Sequence, residues 1–184
     1  VSAIGNDELG DDIVRKFDEN GLNYRLERVD FPTGTVQVTL DENKVPSYNI
    51  MEGVAWDNIP MTPELEALAR DCRAVCFGSL AQRSAVSRAT INAFIDMMPE
   101  DSLKIFDINL RQHYYTEEII CDSMKKADIL KINDEEILVV AQLLDVTEKS
   151  EREICKVLLD KFDLRMVILT CGDRGSYVLT RDES

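Results

Sequence analysis

Apolar residues recur along this chain with two different periods, and the period changes from one segment to the next. The chain opens on a short apolar run, VSAIG, which predicts a strand. The next segment, NDELGDDIVRKFDENG, places Leu9, Ile13 and Phe17 at helical spacing between start signals at Asn6 and Asp7 and a stop signal at Gly21. The sequence therefore predicts a strand followed by a helix.

From Thr33 the pattern alternates with a period of two. Val36, Val38 and Leu40 alternate with polar residues, a turn-like DENK follows, and VPSYNI resumes an extended pattern. This pattern predicts a β hairpin with one apolar face, in which Pro46 makes the second strand an edge strand or interrupts it. Because a lone hairpin is marginal in water, its apolar face is expected to lie on a neighbour, a partner subunit or a ligand.

The rest of the chain alternates between helix and strand, beginning at Thr62 and Pro63, a good N-cap and first helical residue. The predicted helices are PELEALARD, SRATINAFIDMM, TEEIICDSMKKA, DEEILVVAQLLD and EREICKVLLDKF; the predicted strands are RAVCFGSL, LKIFDINL, DILKIN, MVILTCG and SYVLT. Such alternation implies parallel strands joined by crossover helices. The predicted fold class is α/β, a three-layer αβα sandwich with a mostly parallel sheet and a small added β hairpin.

Length, composition and net charge argue against nucleic acid and membranes as partners of this chain. The chain has 184 residues, enough for one domain with a continuous core, and a net charge of -14. That charge opposes non-specific binding to nucleic acid or to an anionic membrane, so neither is expected as a partner. An apolar run approaching the ~18 residues of a membrane span is missing from the sequence, and nothing in it resembles a signal peptide.

Cysteine and histidine usage argues against disulfide bonds and against histidine-based zinc or triad sites. The five cysteines are odd in number and form no C-x-x-C pair, which is typical of reduced core thiols in a cytoplasmic protein. His113 is the one histidine, so a histidine-based zinc site or a Ser-His-Asp triad has little support.

Polar residues gather where the predicted strands end. In open parallel sheets, ligands bind beyond the carboxyl ends of the strands, and these ends share one edge. Four clusters are expected at that edge: Gly78 and Ser79; Asp107, Asn109 and Arg111; Asn133 and Glu136; Gly172 and Gly175.

Each cluster also has a structural interpretation when it is taken singly. Asn133 or Asp134 could cap the following helix, whose acidic first turn would complement the helix dipole. TCGDRGS could be a tight turn that needs glycine at a positive φ. Asp107 and Arg111 could form a surface ion pair, and Ser79 could cap a helix. The glycines match neither a Walker A loop nor a complete G-x-G-x-x-G, and GNDELGDD is no EF-hand loop.

In order along the chain, however, these segments resemble the ribokinase-like (PfkB-type) carbohydrate kinases. SAIGNDELG resembles the family's G-x-D-x-x-G segment through Gly5, Asp7 and Gly10, and PTGTVQVTL...YNI resembles its β lid. FDINLR resembles the D-x-N-x-R segment of the fructokinase-like and ketodeoxygluconate-kinase-like branch. KINDEE supplies N-x-x-E, and TCGDRGS supplies T-x-G-x-x-G through Thr170 and its glycines. The resemblance spans nearly the whole chain.

The resemblance implies ATP-dependent phosphorylation of a sugar hydroxyl, with fructose or a keto-sugar acid favoured by DINLR over ribose or a nucleoside. It implies that Asn133 and Glu136 hold a hydrated Mg2+ and the phosphates. The implied nucleotide-binding residues also include Thr170, Gly172 and Gly175. Arg111 would face the sugar or the transferring phosphate, with Asp107 and Asn109 bracing it and Tyr48 contacting the sugar.

The resemblance also implies how the chain is organised. Residues 1–184 are expected to form the central part of one ribokinase-like domain, with residues 31–56 as a β lid that could pair with a second copy in a homodimer. The family's glycine-rich sugar-binding segment is expected before Val1, and its G-A-G-D segment, which carries the catalytic base, after Ser184. The 184-residue chain alone is therefore expected to be inactive.

Two other function classes remain open at this point. A non-catalytic sugar- or nucleotide-binding or assembly module derived from the same fold would keep the lid without the chemistry. A receiver-type signalling domain also places acids at strand ends, but it needs a lysine late in the sheet. This chain has no lysine after Lys161, and it carries an extra hairpin.

Overall fold

The computed structural model describes residues 1–42, 44–148 and 150–181. The helices are α1 (Glu8–Glu19), α2 (Pro63–Asp71), α3 (Ala85–Met97), α4 (Glu117–Lys126), α5 (Glu136–Leu143) and α6 (Glu151–Lys161). The strands are β1 (Ser2–Gly5), β2 (Leu26–Val29), β3 (Val36–Leu40), β4 (Pro46–Ile50), β5 (Ala74–Phe77), β6 (Leu103–Asp107), β7 (Ile129–Asn133), β8 (Met166–Thr170) and β9 (Ser176–Thr180). Short 3-10 turns cover Ala55–Asn58, Leu80–Gln82 and Gly172–Arg174.

The main sheet has five strands in the order β5-β6-β7-β8-β9. Its first four strands are parallel, and β9 returns antiparallel to β8. The α/β class with a mostly parallel sheet is therefore confirmed. Strand β2 was not predicted; it pairs in parallel with β1, and this pair is not hydrogen-bonded to the main sheet within the described ranges.

The predicted hairpin is present as the antiparallel pair β3–β4, with Val36 opposite Ile50 and Leu40 opposite Pro46. Pro46 is the first residue of β4, as expected for an edge strand. The turn prediction DENK includes Asn43, which lies outside the described residues. Val36, Val38 and Leu40 are 51–63% exposed, so the apolar face that the sequence predicts stands open in this chain.

The core forms where helices cover the parallel strands. Phe106, Leu130 and Leu169 from three neighbouring strands are fully buried and belong to one cluster with residues of α4, α5 and α6. A second cluster joins α2 to α3 through Leu65 and Phe94. Each such side chain contributes about 1.5–3 kcal/mol relative to its exposure to water. The core therefore holds the strand ends of β5 to β8 in fixed register.

The cysteines are free, as predicted, but only Cys155 and Cys171 are buried, and Cys76 is exposed. Burial raises the pKa of the Cys155 thiol to about 12, which keeps it protonated. The prediction of core thiols thus holds for two of the five. In the described part of the chain, no helix is long and apolar enough to cross a membrane.

Helix α1 is capped at its N-terminus by Asp7, whose carboxylate connects three segments. Its Oδ1 accepts hydrogen bonds from the Gly10 amide (2.9 Å) and the Thr33 hydroxyl (2.6 Å), and its Oδ2 accepts one from the Thr33 amide (2.8 Å). A Cβ at Gly5 would lie 2.5 Å from Asp7 Oδ2, and one at Gly10 would lie 2.6 Å from the Gly5 carbonyl oxygen. The G-x-D-x-x-G spacing is therefore explained by close packing around this carboxylate.

The Asp7→Ala variant is expected to be less stable than the wild type at pH 7, and the difference should shrink on acidification. Hydrogen bonds from the Thr33 hydroxyl and from the Thr33 and Gly10 amides lower the pKa of Asp7 below its ordinary value of 3.8. Its stabilisation is present above the unfolded-state pKa and is lost as pH falls through the lower folded-state pKa. Urea unfolding at several pH values measures this, with Asp12→Ala on the same helix as the control, since the Asp12 side chain is half exposed. A stability gap that does not change with pH would contradict the assignment.

Candidate active site

The ends of β6, β7 and β8 meet at one edge of the sheet. The strands are parallel neighbours, with Asp107 opposite Lys131 and Asn133 opposite Thr170. Strand β5, which precedes Gly78, is the next strand in the sheet. The four predicted polar clusters therefore lie along the same edge, as expected from their positions after the strands.

The Glu136 carboxylate connects two backbone segments at this edge of the sheet. Its side chain is mostly buried, with the residue 8% exposed, and each carboxylate oxygen accepts one backbone hydrogen bond. Oε1 accepts from the Leu110 amide at 2.8 Å, and Oε2 accepts from the Asn133 amide at 3.0 Å. One carboxylate thus joins the end of β7 to the loop after β6, the loop that carries Arg111.

Asn133 caps the start of α5, as one of the structural interpretations predicted. Its Oδ1 accepts hydrogen bonds from the amides of Glu135 (2.9 Å) and Glu136 (2.7 Å). The cap orients the first turn of α5 so that the Glu136 side chain folds back over the strand end. Asn133 and Glu136 are therefore brought together by local backbone geometry.

Arg111 lies in a loop with unusual backbone geometry. Asn109 and Gln112 have positive φ angles of 42° and 48°, which residues other than glycine rarely adopt. Arg111 is exposed, and its Nη1 donates to the carbonyl of its neighbour Leu110 at 3.1 Å. The loop thus holds the Arg111 guanidinium at the sheet edge with most of its donors available to a ligand.

Asp107 pairs with Lys131, whose Nζ lies 2.9 and 3.1 Å from the two carboxylate oxygens. The interpretation of Asp107 and Arg111 as an ion pair is therefore wrong, because the cross-strand register places Lys131 directly opposite Asp107. Sequence reasoning missed Lys131. The available signal was its alternation with the buried Leu130 and Ile132 along β7, which sets its side chain apart from theirs.

The TCGDRGS segment forms a tight turn between β8 and β9. Gly172 and Gly175 have positive φ angles of 56° and 87°, as the turn interpretation predicted. The Cys171 amide donates to the Gly175 carbonyl at 2.8 Å, and the Thr170 carbonyl accepts from the Asp134 amide at 3.0 Å. A Cβ at either glycine would meet nothing within 4 Å, so the backbone there is open to approach.

Arg174 anchors this turn to the end of β7 and was also missed by sequence reasoning. Its Nη2 lies 2.7 Å from Asp134 and 3.7 Å from Glu151 at the start of α6. The Arg174 hydrogen bond lowers the pKa of Asp134, and the same contact raises the pKa of Arg174. Both groups are therefore charged near neutral pH, and the turn is held against the Asn133–Glu136 segment.

Ser79 has a different role from the helix cap that the sequence suggested. The residue is fully buried, and its hydroxyl donates to the Ile108 carbonyl at 2.7 Å without capping a helix. A Cβ at Gly78 would lie 3.0 Å from the Asp107 carbonyl oxygen. The Ser79 hydroxyl therefore fastens the end of β5 to Ile108, and Gly78 allows the close approach to Asp107.

The hairpin reaches the same loop through its backbone. The Tyr48 carbonyl accepts a hydrogen bond from Gln112 Nε2 at 2.6 Å, whereas the Tyr48 side chain is 57% exposed. Tyr48 is therefore close to the residue that follows Arg111, although its ring is not held by the sheet edge.

The donor set at the edge is suited to a hydrated Mg2+. Among the described residues, no group of three or more His, Cys, Asp or Glu could hold a metal ion. The Glu136 oxygens already accept backbone hydrogen bonds, and each retains a further lone pair for a water molecule. Mg2+ usually keeps several waters and binds through one or two carboxylates together with substrate phosphates. The residues present fit that arrangement and do not fit an all-protein metal cage.

Comparison with known proteins assigns this chain to a family. The family model for pfkB family carbohydrate kinases matches residues 1–184. The ATP-dependent 6-phosphofructokinase of Thermoanaerobacterium thermosaccharolyticum is 28% identical over 191 aligned residues, covering the whole chain and 57% of that protein. The uncharacterized sugar kinase PH1459 of Pyrococcus horikoshii is 28% identical over 146 residues, covering 75% of this chain and 47% of that protein.

Solved structures show the same fold. The structure of PH1459 superposes with a TM-score of 0.76 at 25% identity over 98% of this chain and 60% of that one, and it has also been solved with ATP. Fructokinase from Xylella fastidiosa superposes with a TM-score of 0.84 at 18% identity over 99% of this chain and 57% of that one. The chain spans about half the length of the curated relatives named above. With its family model matched from end to end, the chain belongs to the pfkB family of carbohydrate kinases.

Proposed function

We propose that this chain is the central part of an ATP-dependent sugar kinase that phosphorylates the hydroxyl of a fructose-like keto sugar. The observation that carries the proposal is the convergence on Glu136 of the end of β7 and the Arg111 loop, beside the open turn at Gly172 and Gly175. ATP-bound structures of PH1459 and of the Xylella fructokinase support ATP as the phosphoryl donor.

In this proposal the described residues mainly position groups and stabilise charge. The open backbone at Gly172 and Gly175 lines the nucleotide phosphates, and Thr170 ends the strand beside them. Glu136 and Asn133 would hold a hydrated Mg2+ through water, and the bound ion would supply positive charge against the phosphate oxygens. Arg111 provides donors to the γ-phosphoryl group as negative charge shifts towards the leaving oxygen.

The transfer forms a bond between the sugar oxygen and the γ-phosphorus and breaks the bond from that phosphorus to the ADP oxygen. The hydroxyl proton leaves to a general base, for which no residue of the described ranges is proposed. The nearby Asp173 is not proposed for this step, because it lies in the 3-10 turn Gly172–Arg174 of the nucleotide loop.

The hairpin β3–β4 is proposed as a lid over the sugar. Its Val36, Val38, Leu40 and Val45 side chains are more than half exposed. A second copy of the chain could cover them, so a homodimer through the lid is proposed with it. The free cysteines agree with a cytoplasmic location, which is part of the same proposal.

The Glu136→Gln variant is expected to bind ATP–Mg2+ about 10–100-fold more weakly than the wild type. The amide nitrogen of glutamine would face a backbone N–H of Leu110 or Asn133, so one hydrogen bond is lost and two donors oppose each other. Isothermal titration of the full-length protein with ATP–Mg2+, and separately with fructose, measures the effect. The neighbouring exposed Glu135→Gln is the matched control, and unchanged nucleotide affinity in Glu136→Gln would contradict the proposed site.

A further inference from the structure

Arg83 and Asp57 form a buried ion pair that the proposed reaction does not use. The two side chains are 6% and 5% exposed, and they make two parallel hydrogen bonds, Nε to Oδ1 at 2.8 Å and Nη2 to Oδ2 at 2.9 Å. The Arg83 guanidinium lies 4.1 Å from the Trp56 ring centroid and 4.5 Å from that of Tyr114. Four contacts therefore hold one guanidinium in a single orientation.

Stability alone does not account for an arginine at this position. Within the described ranges, Arg83 Nη1 is buried and has no hydrogen-bond partner, which costs free energy. Buried ion pairs are often replaced by apolar residues with no loss of stability. The guanidinium does, however, reach segments that an apolar side chain could not connect.

One of these segments is the end of the hairpin. Arg83 Nη2 also donates to the Met51 carbonyl, the residue directly after β4. The Tyr114 hydroxyl donates to Glu52 Oε1 at 2.8 Å and lies 3.2 Å from the Ile50 carbonyl oxygen. The strong hydrogen bond to Glu52 raises the pKa of Tyr114, so its hydroxyl stays protonated.

The other segment is the loop that carries Arg111. Tyr114, which stacks on Arg83, belongs to this loop, and so does Gln112, which donates to the Tyr48 carbonyl. Three carbonyls at the end of the hairpin, those of Tyr48, Ile50 and Met51, are thus approached by side chains from the loop or from Arg83. The hairpin cannot move away from the sheet edge without breaking contacts that also hold the loop.

We propose that Arg83 is a positioning residue that couples the hairpin to the Arg111 loop. This role rests on the proposed kinase function. Through the coupling, the hairpin would cover the sugar only when the loop places Arg111 at the sheet edge. When the hairpin lies over the site, Arg83 holds Tyr114 and with it the loop in the conformation seen here. When the coupling is lost, the conformation competent to bind sugar becomes less populated, and apparent sugar affinity falls by the same factor.

Hydrogen exchange in the full-length protein without ligands tests the coupling independently of activity. In an Asp57→Leu, Arg83→Met double variant, which leaves no buried charge uncompensated, amide exchange is expected to become about tenfold faster in both 46–52 and 109–115, and to stay unchanged in β7 and β8. Arg88→Met is the matched control, since Arg88 lies five residues further on, is 24% exposed and pairs with Glu118 and Asp122. Faster exchange in only one of the two segments, or in neither, would overturn the proposal.

Steady-state kinetics with ATP–Mg2+ and fructose add a second readout. Arg83→Lys keeps the charge opposite Asp57 but cannot bind Met51 and stack on Tyr114 at once, so it is expected to fold and to raise the KM for fructose about tenfold. The KM for ATP is expected to change less than about twofold. The exposed Gln112→Ala should shift the fructose KM in the same direction. Equal changes in the KM values for fructose and ATP would contradict the coupling. A wild type without sugar-dependent turnover would contradict the proposed function, and the coupling would then be tested by hydrogen exchange alone.

Discussion

The Arg111→Met variant of the full-length protein is expected to phosphorylate its sugar about 100- to 1,000-fold more slowly than the wild type, with KM for ATP little changed. Arg111 is exposed at the sheet edge, and in the described part of the chain its guanidinium donates to the carbonyl of its own neighbour Leu110. Donors aimed at charge that develops during transfer act on the transition state more than on substrate binding. The effect should therefore appear in kcat, measured by coupled detection of ADP.

The control for Arg111 is Arg165→Met, which removes an exposed arginine beside the first residue of β8, at the opposite edge of the sheet. It should leave kcat unchanged. An equal decrease of kcat in Arg111→Met and Arg165→Met would contradict the role of Arg111 in the proposed transfer step. A higher KM for the sugar with unchanged kcat in Arg111→Met would contradict it as well.

The Asp57→Ala variant is expected to lower the free energy of unfolding by about 3–5 kcal/mol. It would leave the Arg83 cation buried without its carboxylate, and it would also remove the acceptor of the Val54 amide at 3.2 Å. Urea unfolding measured by circular dichroism gives the difference directly. An Asp57→Leu, Arg83→Met double variant should recover much of the loss, because it removes the uncompensated charge.

The matched control is Asp122→Ala, which breaks the ion pair of Asp122 with Arg88. The side chains of Asp122 and Arg88 are 39% and 24% exposed, so water screens this pair more than the Arg83–Asp57 pair, and a loss of about 1 kcal/mol is expected. Equal losses in Asp57→Ala and Asp122→Ala would show that burial does not set the strength of the Arg83–Asp57 pair.

Much of the fold could be predicted from the sequence because periodicity is a local property. The helical spacing of Leu9, Ile13 and Phe17, the alternation of Val36, Val38 and Leu40, and the buried strands of the sheet all follow from short-range patterns. Strand β2 was missed because its four residues include Glu27 and Arg28 and show no clear alternation. The free hairpin face was expected to need a cover, and it is open in this chain.

The site could be predicted only as a set of positions. Strand order and the rule for parallel sheets place Asn133, Glu136 and Arg111 at one edge, but contacts between distant segments depend on register and loop geometry. The pairing of Asp107 with Lys131 needs the alignment of β6 with β7, and that of Arg83 with Asp57 joins residues 26 apart. The roles of Asn133, Glu136, Thr170 and the two glycines in binding nucleotide remain predictions, and the Glu136→Gln variant tests the role of Glu136.

Two functions fit the family and this geometry: a sugar kinase and a binding module that has kept the fold without the chemistry. Both would bind nucleotide at the Glu136 edge, so nucleotide binding alone does not separate them. The measurement that does so is ADP release by the full-length wild-type protein with ATP–Mg2+, with and without fructose and other keto sugars. The proposed function predicts ADP release that depends on the sugar and equals the phosphorylated sugar formed. Binding of ATP–Mg2+ without sugar-dependent ADP release for any keto sugar in the panel would contradict it.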